Sequence, residues 1–457
     1  MSIIGLKKAN CKNCYKCVKV CPVKSIKVEN EQAKIIDRDC ILCGTCLEQC
    51  PQNAKTVVSD VALVKEMLKS GERVILSIAP SYYGCFDFDD VHQFAGALKE
   101  LGFYGVSETA EGAAYVTAEY HRIMQENSMK NIISTCCPSV NRLIELYYPS
   151  LVDQMAPVVS PMIAHGRLLK QSYGPGTRVV FAGPCIAKKD DAADIRHNNE
   201  IDAVLTFEEL NAWLKEEHIS FAKAEPATFL NPSSKILRMY PIEEGILASL
   251  RSRGDIGDWK LLSVSGSGAC IDLCRAMERG ELDHCFIEIN MCRDGCVNGP
   301  GSGTDTVSRF ASRVRIRDYA YEDADSYPNL PEKIPMAMQF VDRSNKEDIP
   351  DEETIRAILA KIGKNGPEDE LNCGSCGYPT CRAKAIAVYQ GKAELHMCIP
   401  YMKERAESLS NCVLTETPNI TIIVDSDLNI IEFNAAAERA FHITRHEALQ
   451  KCIYELI

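Results

Sequence analysis

Between residues 61 and 300 the apolar positions alternate between two periods. Stretches beginning at Val61 and spanning 90–101 place apolar residues three and four apart, the spacing of a helix with one buried face. Among them come short, nearly unbroken apolar runs at 74–78, 131–134, 178–181, 203–205, 261–264 and 286–289. Such runs predict buried strands, and their alternation with helices predicts an α/β domain. Beyond residue 345 the pattern changes. A helix is expected over 351–362, stopped by Gly363 and Gly366, and another over 382–390. From Glu404 a helical linker leads to a strand at 420–424, a turn at Asp425-Ser426-Asp427, a strand at 430–433 and a helix at 435–441.

The loops after the strands carry the chemistry. The run 74–78 ends in Ala79-Pro80-Ser81, 131–134 in Thr135-Cys136-Cys137-Pro138, and 178–181 in Gly183-Pro184-Cys185. The run 286–289 leads through Asn290 to Cys292 and Cys296, among Gly295, Gly299, Gly301 and Gly303. Open α/β sheets bind ligands beyond the carboxyl ends of their strands. Thiols from three distant loops therefore come within reach of one inorganic cluster, with glycines allowing close backbone approach. Spacing alone does not separate Cys136 from Cys137. A glycine-rich turn with incidental thiols is the plain alternative.

Composition sharpens this picture. A length of 457 residues suggests roughly three domains. A net charge of −12 argues against nucleic acid and leaves no polybasic membrane patch. The opening MSIIGLKKANCKNC lacks the apolar core of a secretory signal, and no run of 18 apolar residues occurs. A soluble, cytoplasmic protein is expected. The outlier is cysteine, at 23 residues, which in a reducing compartment points to metal rather than disulfides.

Two segments carry the clearest metal pattern. Cys11, Cys14, Cys17 and Cys21-Pro22, then Cys40, Cys43, Cys46 and Cys50-Pro51, each match C-x2-C-x2-C-x3-C-P, the bacterial ferredoxin spacing. The fourth cysteine of each run serves the other cluster. One 4Fe-4S cluster is thus expected on Cys11, Cys14, Cys17 and Cys50, and a second on Cys40, Cys43, Cys46 and Cys21. Farther on, Cys373, Cys376, Cys381 and Cys398 form a C-x2-C-x4-C…C set, with a cubane at one end of a helix as the expectation and zinc as the alternative. That set resembles the small four-cysteine iron–sulfur domain of several anaerobic redox proteins.

Taken together, the strand-end loops resemble those of the FeFe hydrogenases. The family's Thr-Ser-Cys-Cys-Pro loop is matched by Ser134-Thr135-Cys136-Cys137-Pro138, and its Pro-Cys-x-x-Lys by Pro184-Cys185-Ile186-Ala187-Lys188. Its Glu-x-x-x-Cys-x-x-x-Cys-Val-Asn-Gly is matched by Glu288 through Gly299. The resemblance covers roughly residues 1–345. It implies an H-cluster: a cubane on Cys137, Cys185, Cys292 and Cys296, bridged by Cys296 to a diiron unit carrying CO, cyanide and a dithiolate amine. Lys188 would bond one cyanide, Ala79, Pro80 and Ser81 would lie against the other, and Cys136 would pass protons. Gly183 and Asn290 would complete the pocket.

The departures from the family matter equally. Gly183 and Asn290 stand where catalytic members carry methionines, and Arg293-Asp294-Gly295 stands where His-Gly-Gly is usual. The family's carboxylate and hydroxyl relay falls on Tyr120, Ile123 and Ala156, none expected to serve, although Glu119 is adjacent. A smaller or wetter diiron pocket and slow turnover are therefore expected. Cys85, Cys270, Cys274 and Cys285 have no assigned role and are expected to be buried and inert.

The strand, turn, strand and helix after 411 resemble the opening of a PAS domain, with too few residues left to close one, so the chain is expected to be cut there. The expected organisation is a ferredoxin domain (1–57) of α+β type, an α/β H-cluster domain (61–345), a helical four-cysteine domain (346–410) and a truncated PAS-like segment (411–457). The function expected is H2 sensing or redox sensing with slow, reversible H2 turnover. The alternative is a non-catalytic iron–sulfur protein of cluster assembly or electron-transfer signalling. Expected partners are H2 and protons, a ferredoxin or other redox carrier, maturation proteins and a signalling protein, with a homodimer left open.

Overall fold

A computed structural model describes residues 2–231, 235–303, 308–321, 327–331, 333–345, 348–449 and 451–456. The chain forms two compact units, Met1–Lys27 with Glu31–Glu347, and Val28–Asn30 with Asp348–Ile457.

In the first unit, Ile4–Leu6 pairs antiparallel with Lys55–Val57, tying together the two ends of the cysteine-rich segment. Two short helices, Lys16–Val20 and Thr45–Glu48, bury the third cysteine of each run, Cys17 and Cys46. Each is entered through a left-handed residue, Tyr15 and Gly44. At Gly44 a side chain is doubly excluded: φ is +77°, and a Cβ would lie 2.4 Å from Pro300.

Two parallel sheets make up the core. One has four strands in the order Gly105–Glu108, Val74–Ile78, Arg178–Gly183, Ala203–Thr206. The other orders Lys260–Ser265, Cys285–Asn290 and Ile132–Ile133. Val74–Ile78 and Cys285–Asn290 are buried at every position, as central parallel strands covered on both faces should be. Five of the six expected runs become strands within two residues of their limits, while 131–134 shrinks to two residues because Ser134 already turns toward the loop. Gly105–Glu108 escaped the apolar pattern because Ser107 and Glu108 are buried polar residues. Ser107 is satisfied by His165, and Glu108 by Arg238 and Tyr82.

Helix starts carry their expected chemistry. Asp90 caps Val91–Glu100 by accepting from His92 N at 2.8 Å, and Thr206 and Glu209 form a capping box for Phe207–Glu216. The helices Ala110–Glu126 and Pro161–Tyr173 approach closely at Gly112, where a Cβ would lie 2.3 Å from Pro161 O and 2.8 Å from His165 Cβ.

The ferredoxin-like segment is fastened to the α/β core. Arg142, on the helix Pro138–Tyr147, donates to Cys40 O at 2.8 Å, Asp37 O at 3.1 Å and Asp190 Oδ2 at 2.7 Å. Ile41 packs in one apolar cluster with Cys137, Val140 and Ile289.

In the second unit, Glu352–Ala360 packs against Cys381–Tyr389 through Ile355, Leu359 and Ala385. Asp351 proves to be the N-cap, accepting from Thr354 N at 2.8 Å. The helix Ile399–Glu416 leads to Ile422–Val424, which pairs antiparallel with Ile430–Phe433, and then to Ala435–Phe441. A small core of Ile430, Phe433, Ala437 and Ala448 supports that hairpin. Among the described residues, no helix is long and apolar enough to cross a membrane.

Two substitutions test this packing. Gly112→Ala should push the two helices apart and cost about 1–3 kcal/mol, seen as a lower urea midpoint at unchanged iron content. Arg142→Ala removes three charge-assisted hydrogen bonds and should cost about 2–3 kcal/mol. It should also expose the 1–57 segment to limited proteolysis ahead of the rest of the chain. Cleavage at the wild-type rate would refute that account of the docking.

Candidate active site

Beyond the strand ends lies a cavity of about 90 Å³. Its walls include Ala79, Pro80 and Ser81 after Val74–Ile78, Cys185 and Lys188 after Arg178–Gly183, and Asn290 and Cys296 from the third loop. Cys136 faces the same space, with Thr109, Ala110, Met162, Phe181 and Tyr240. Of the residues expected around a diiron unit, only Gly183 does not line it. A Cβ on Gly183 would lie 2.7 Å from the Phe181 ring, and Phe181 instead reaches the cavity from two residues earlier on the same strand. The missing methionine is thus replaced by an aromatic side chain, and the walls are mostly apolar.

Four thiols stand beside it. Cys137 is the N-cap of Pro138–Tyr147, and Cys185 precedes Lys188–Ala193. Burial pushes Cys185 up to about 11, and the Cys137 sulfur adds to the shift. Burial raises Cys292 and Cys296 well above the ordinary thiol value, with each other and with Cys137 and Cys185 as neighbours. The thiols of Cys185, Cys292 and Cys296 sit in one dry region with the Cys137 sulfur as a near neighbour, as a cubane requires. The quartet adjoins the ferredoxin-like segment directly: Gly44 abuts Pro300 and Ile186, and Glu48 lies close enough to act on Cys292.

Lys188 is buried, not the solvated lysine its charged neighbours suggest. Its Nζ donates to Asp191 Oδ2 at 2.8 Å and to Cys136 O at 3.3 Å. Burial opposes the charge of Lys188, yet Asp191 holds its pKa above the ordinary value. Asp191 in turn, despite burial, is held well below the usual carboxylate range by Lys188 and His197. Lys189 is also buried, donating to Val204 O and pairing with Asp60 and Glu209.

Ser81 Oγ is buried without a hydrogen-bond partner and belongs to the cavity wall. An unpaired buried hydroxyl costs free energy unless something in the cavity completes it.

Cys136 differs from a reactive thiol. Desolvation pushes it up to about 12, so it holds its proton throughout the ordinary pH range. Tyr120, expected to be silent, presents its hydroxyl 3.3 Å from Cys136 Sγ. That hydroxyl accepts from Thr135 N at 2.8 Å and lies 3.3 Å from Thr135 Oγ1, which donates to Val158 O at 2.8 Å. The network orients the thiol and, among the described residues, runs from Tyr120 through Thr135 to the Val158 carbonyl.

Glu288 enters the sequence pattern only as the first letter of a motif, and its position gives it a definite role. Its buried carboxylate accepts from Glu244 N, Ile246 N and Leu247 N at 2.8–3.1 Å, at the start of the helix Gly245–Arg253. Burial pushes its pKa up to about 7 against those three bonds. It fixes the third loop to that helix. Only the regular strand pattern through 286–289, which points residue 288 inward, could have signalled this.

The other cysteine sets assemble as well. Cys11, Cys14, Cys17 and Cys50 line one small cavity, and Cys21, Cys40, Cys43 and Cys46 act on one another. In the second unit Cys373, Cys376, Cys381 and Cys398 line a cavity with Lys384, whose buried ammonium donates to Leu395 O at 2.9 Å. Among the described residues, no three His, Cys, Asp or Glu side chains crowd as a single ion requires. Burial pushes Cys85 and Cys274 up to about 12 and raises Cys270 further, as inert thiols should be.

Comparison with known proteins agrees with this geometry. The family described as "Iron only hydrogenase large subunit, C-terminal domain" matches residues 72–300. A 4Fe-4S dicluster domain matches 3–51, and an Fe-S cluster segment matches 369–400. The NADP-reducing hydrogenase subunit HndD of Solidesulfovibrio fructosivorans is 24% identical over 333 residues, 59% of this chain and 57% of that protein. Iron hydrogenase 1 of Clostridium pasteurianum is 26% identical over 376 residues, 60% of this chain and 65% of its own length. The chain thus spans less than two thirds of either relative. A structure of the FeFe-hydrogenase HydA1 of Chlamydomonas reinhardtii shares the fold at a TM-score of 0.51 and 17% identity, covering 63% of this chain and 100% of that one. With the family match spanning half of its length and the cysteine loops at its strand ends, this chain belongs to the iron-only hydrogenase large-subunit family.

Proposed function

We propose that the chain is an FeFe hydrogenase of sensory type, turning over H2 slowly and passing electrons among 4Fe-4S clusters. The observation that supports this best is the cavity itself. A buried ammonium (Lys188), an unpartnered buried hydroxyl (Ser81) and two thiols (Cys136 and Cys296) line one mostly apolar space beside a cysteine quartet. Such a set fits an H-cluster: the quartet Cys137, Cys185, Cys292 and Cys296 would hold its cubane, and Cys296 would bridge to the diiron unit. Lys188 and Ser81 would donate hydrogen bonds to its cyanides, with Ala79, Pro80 and Asn290 against it. When bound, that group supplies heterolytic cleavage of H2 and its reverse.

The chain's own residues do the rest. Apolar walls from Phe181, Met162 and Ala110 exclude bulk water. Cys136 holds a proton at Sγ, fixed by Tyr120. Because the Tyr120 network stops at Val158 O, proton supply by that route is poor, which supports slow turnover. Cys21, Cys40, Cys43 and Cys46 would place a ferredoxin-type cluster beside the quartet, with Cys11, Cys14, Cys17 and Cys50 holding a second. The fourth set, with a PAS-like segment after it, supports a sensor that reports to a signalling partner.

Full reconstitution should give about 18 iron per chain, from four cubanes and one diiron unit. Infrared bands of metal-bound CO and cyanide should accompany it. Cys296→Ser should abolish those bands and all H2 activity while the ferredoxin-type clusters keep their reduced-state EPR signals. CO bands that survive in the serine variant would overturn the bridging role. Iron near 16 per chain with no such bands would support a non-catalytic iron–sulfur protein instead.

A further inference from the structure

Among the described residues the Tyr120 network ends on the Val158 carbonyl, so a proton leaving the cavity is better served by another way out. A second polar chain starts on the cavity wall and runs in another direction. Thr109 lines the cavity, and its Oγ1 lies 2.8 Å from Ser77 Oγ. Ser77 Oγ lies 2.8 Å from His165 Nδ1. On the far side of the ring, His165 Nε2 lies 3.0 Å from Ser107 Oγ and 3.4 Å from Glu111 Oε2. Ser77, Ser107 and His165 are fully buried, whereas the Glu111 side chain is 25% exposed. Asn231 Nδ2 holds the same Glu111 oxygen at 3.0 Å.

Resting on the hydrogenase reading of the cavity, we propose that Thr109, Ser77, His165 and Glu111 form a proton relay between the diiron site and solvent. Every hydrogen in the relay is accounted for. Thr109 Oγ1 takes a proton from the cavity and its own passes to Ser77 Oγ. The Ser77 proton passes to His165 Nδ1, and the proton on Nε2 passes to Glu111, which releases it to water. One proton crosses, no electron moves, and reorientation of the hydroxyls and imidazole resets the chain. Imidazole suits this task because one ring nitrogen can accept a proton while the other donates one.

Local packing places these groups. Gly112, one residue after Glu111, lacks the Cβ that would strike His165, so the helix Pro161–Tyr173 comes close enough to insert its imidazole between Ser77 and Ser107. A histidine serving only to bridge two strands would need neither a hydroxyl leading to a cavity nor a carboxylate leading to water. This chain of residues supplies both. All four act through one another rather than on substrate, so they are positioning and conducting groups.

The test uses the reconstituted full chain. Thr109→Val deletes one hydroxyl at nearly constant volume, Thr109→Ser keeps it, and Thr109 makes no side-chain cap that either change would lose. The valine variant should lose about tenfold or more in H2 evolution, and the serine variant should stay within about twofold. In both, the CO and cyanide bands should keep their positions. After a pH jump, the protonation-dependent change in those bands should develop more slowly in the valine variant but reach the same extent. If valine disturbs the bands, Glu111→Gln decides, since it acts from the solvent end and should slow the same change. Wild-type relaxation in either intact variant overturns the relay alone. A wild-type protein that shows no CO or cyanide bands overturns the hydrogenase reading, and the relay with it.

Discussion

Four thiols gathered in one dry region cannot all ionise unless something compensates their charge. Burial raises Cys185, Cys292 and Cys296 above the ordinary thiol value, which disfavours their thiolates unless a positive charge compensates. A metal cluster inserted there must displace the thiol protons, and its binding free energy then adds to the stability of the fold. The surroundings are arranged around the same need. Lys188 brings a fixed positive charge into the region, and Asp191 keeps that ammonium charged against burial. Parallel strands of both sheets end at the cysteine loops, and the carboxyl ends of such strands are where backbone groups lie free of the ladder.

The regular parts of this arrangement were legible in the chain. Continuous apolar runs marked five of the strands, and the cysteine spacings grouped the two ferredoxin-type sets and the Cys373 set, whereas the strand-end quartet rested on the resemblance of its loops to a known family. The parts that stayed hidden are polar and buried. Ser107 and Glu108 form a strand that breaks the apolar rule, because their partners His165 and Arg238 lie 58 and 130 residues away. Lys189 looks solvated in its charged stretch, and only the tertiary structure supplies Val204 O and Glu209. Lys188 has its partner Asp191 one helical turn away, but the charged stretch does not show that this turn is buried. For Ser107, Glu108 and Lys189 sequence distance, not weak chemistry, concealed the partners.

The substitution at Gly183 illustrates how a pocket can change residue type without changing character. A loss of side-chain volume next to a cavity invites water if nothing moves in. Here alternation along the strand points residues 181 and 183 to the same face, so a larger residue two places earlier can fill the space left by a smaller one. Phe181 occupies that position, and its ring edge excludes any Cβ at 183. Asn290 is the opposite case. It puts an amide in the cavity wall, held by Glu288 Oε1 at 3.4 Å, and so places a polar group where the family has a thioether.

The same economy of contact governs the join between the ferredoxin-like segment and the core. The segment bearing Cys43 and Cys46 lies against the strand-end loops, and any side chain at residue 44 would hold the two apart. Gly44 has none and is free to take φ +77°, which lets the turn carrying Cys43 and Cys46 rest on Pro300 and Ile186. Those two residues flank the loops bearing Cys296 and Cys185. Arg142 then locks the approach by bonding Cys40 O from a helix whose own N-cap is Cys137. One helix thus begins at a quartet thiol and grips the ferredoxin run through its next turn. Any shift of the ferredoxin segment would strain the thiol set directly, so the spacing between them is fixed by a rigid helix turn rather than by a flexible linker.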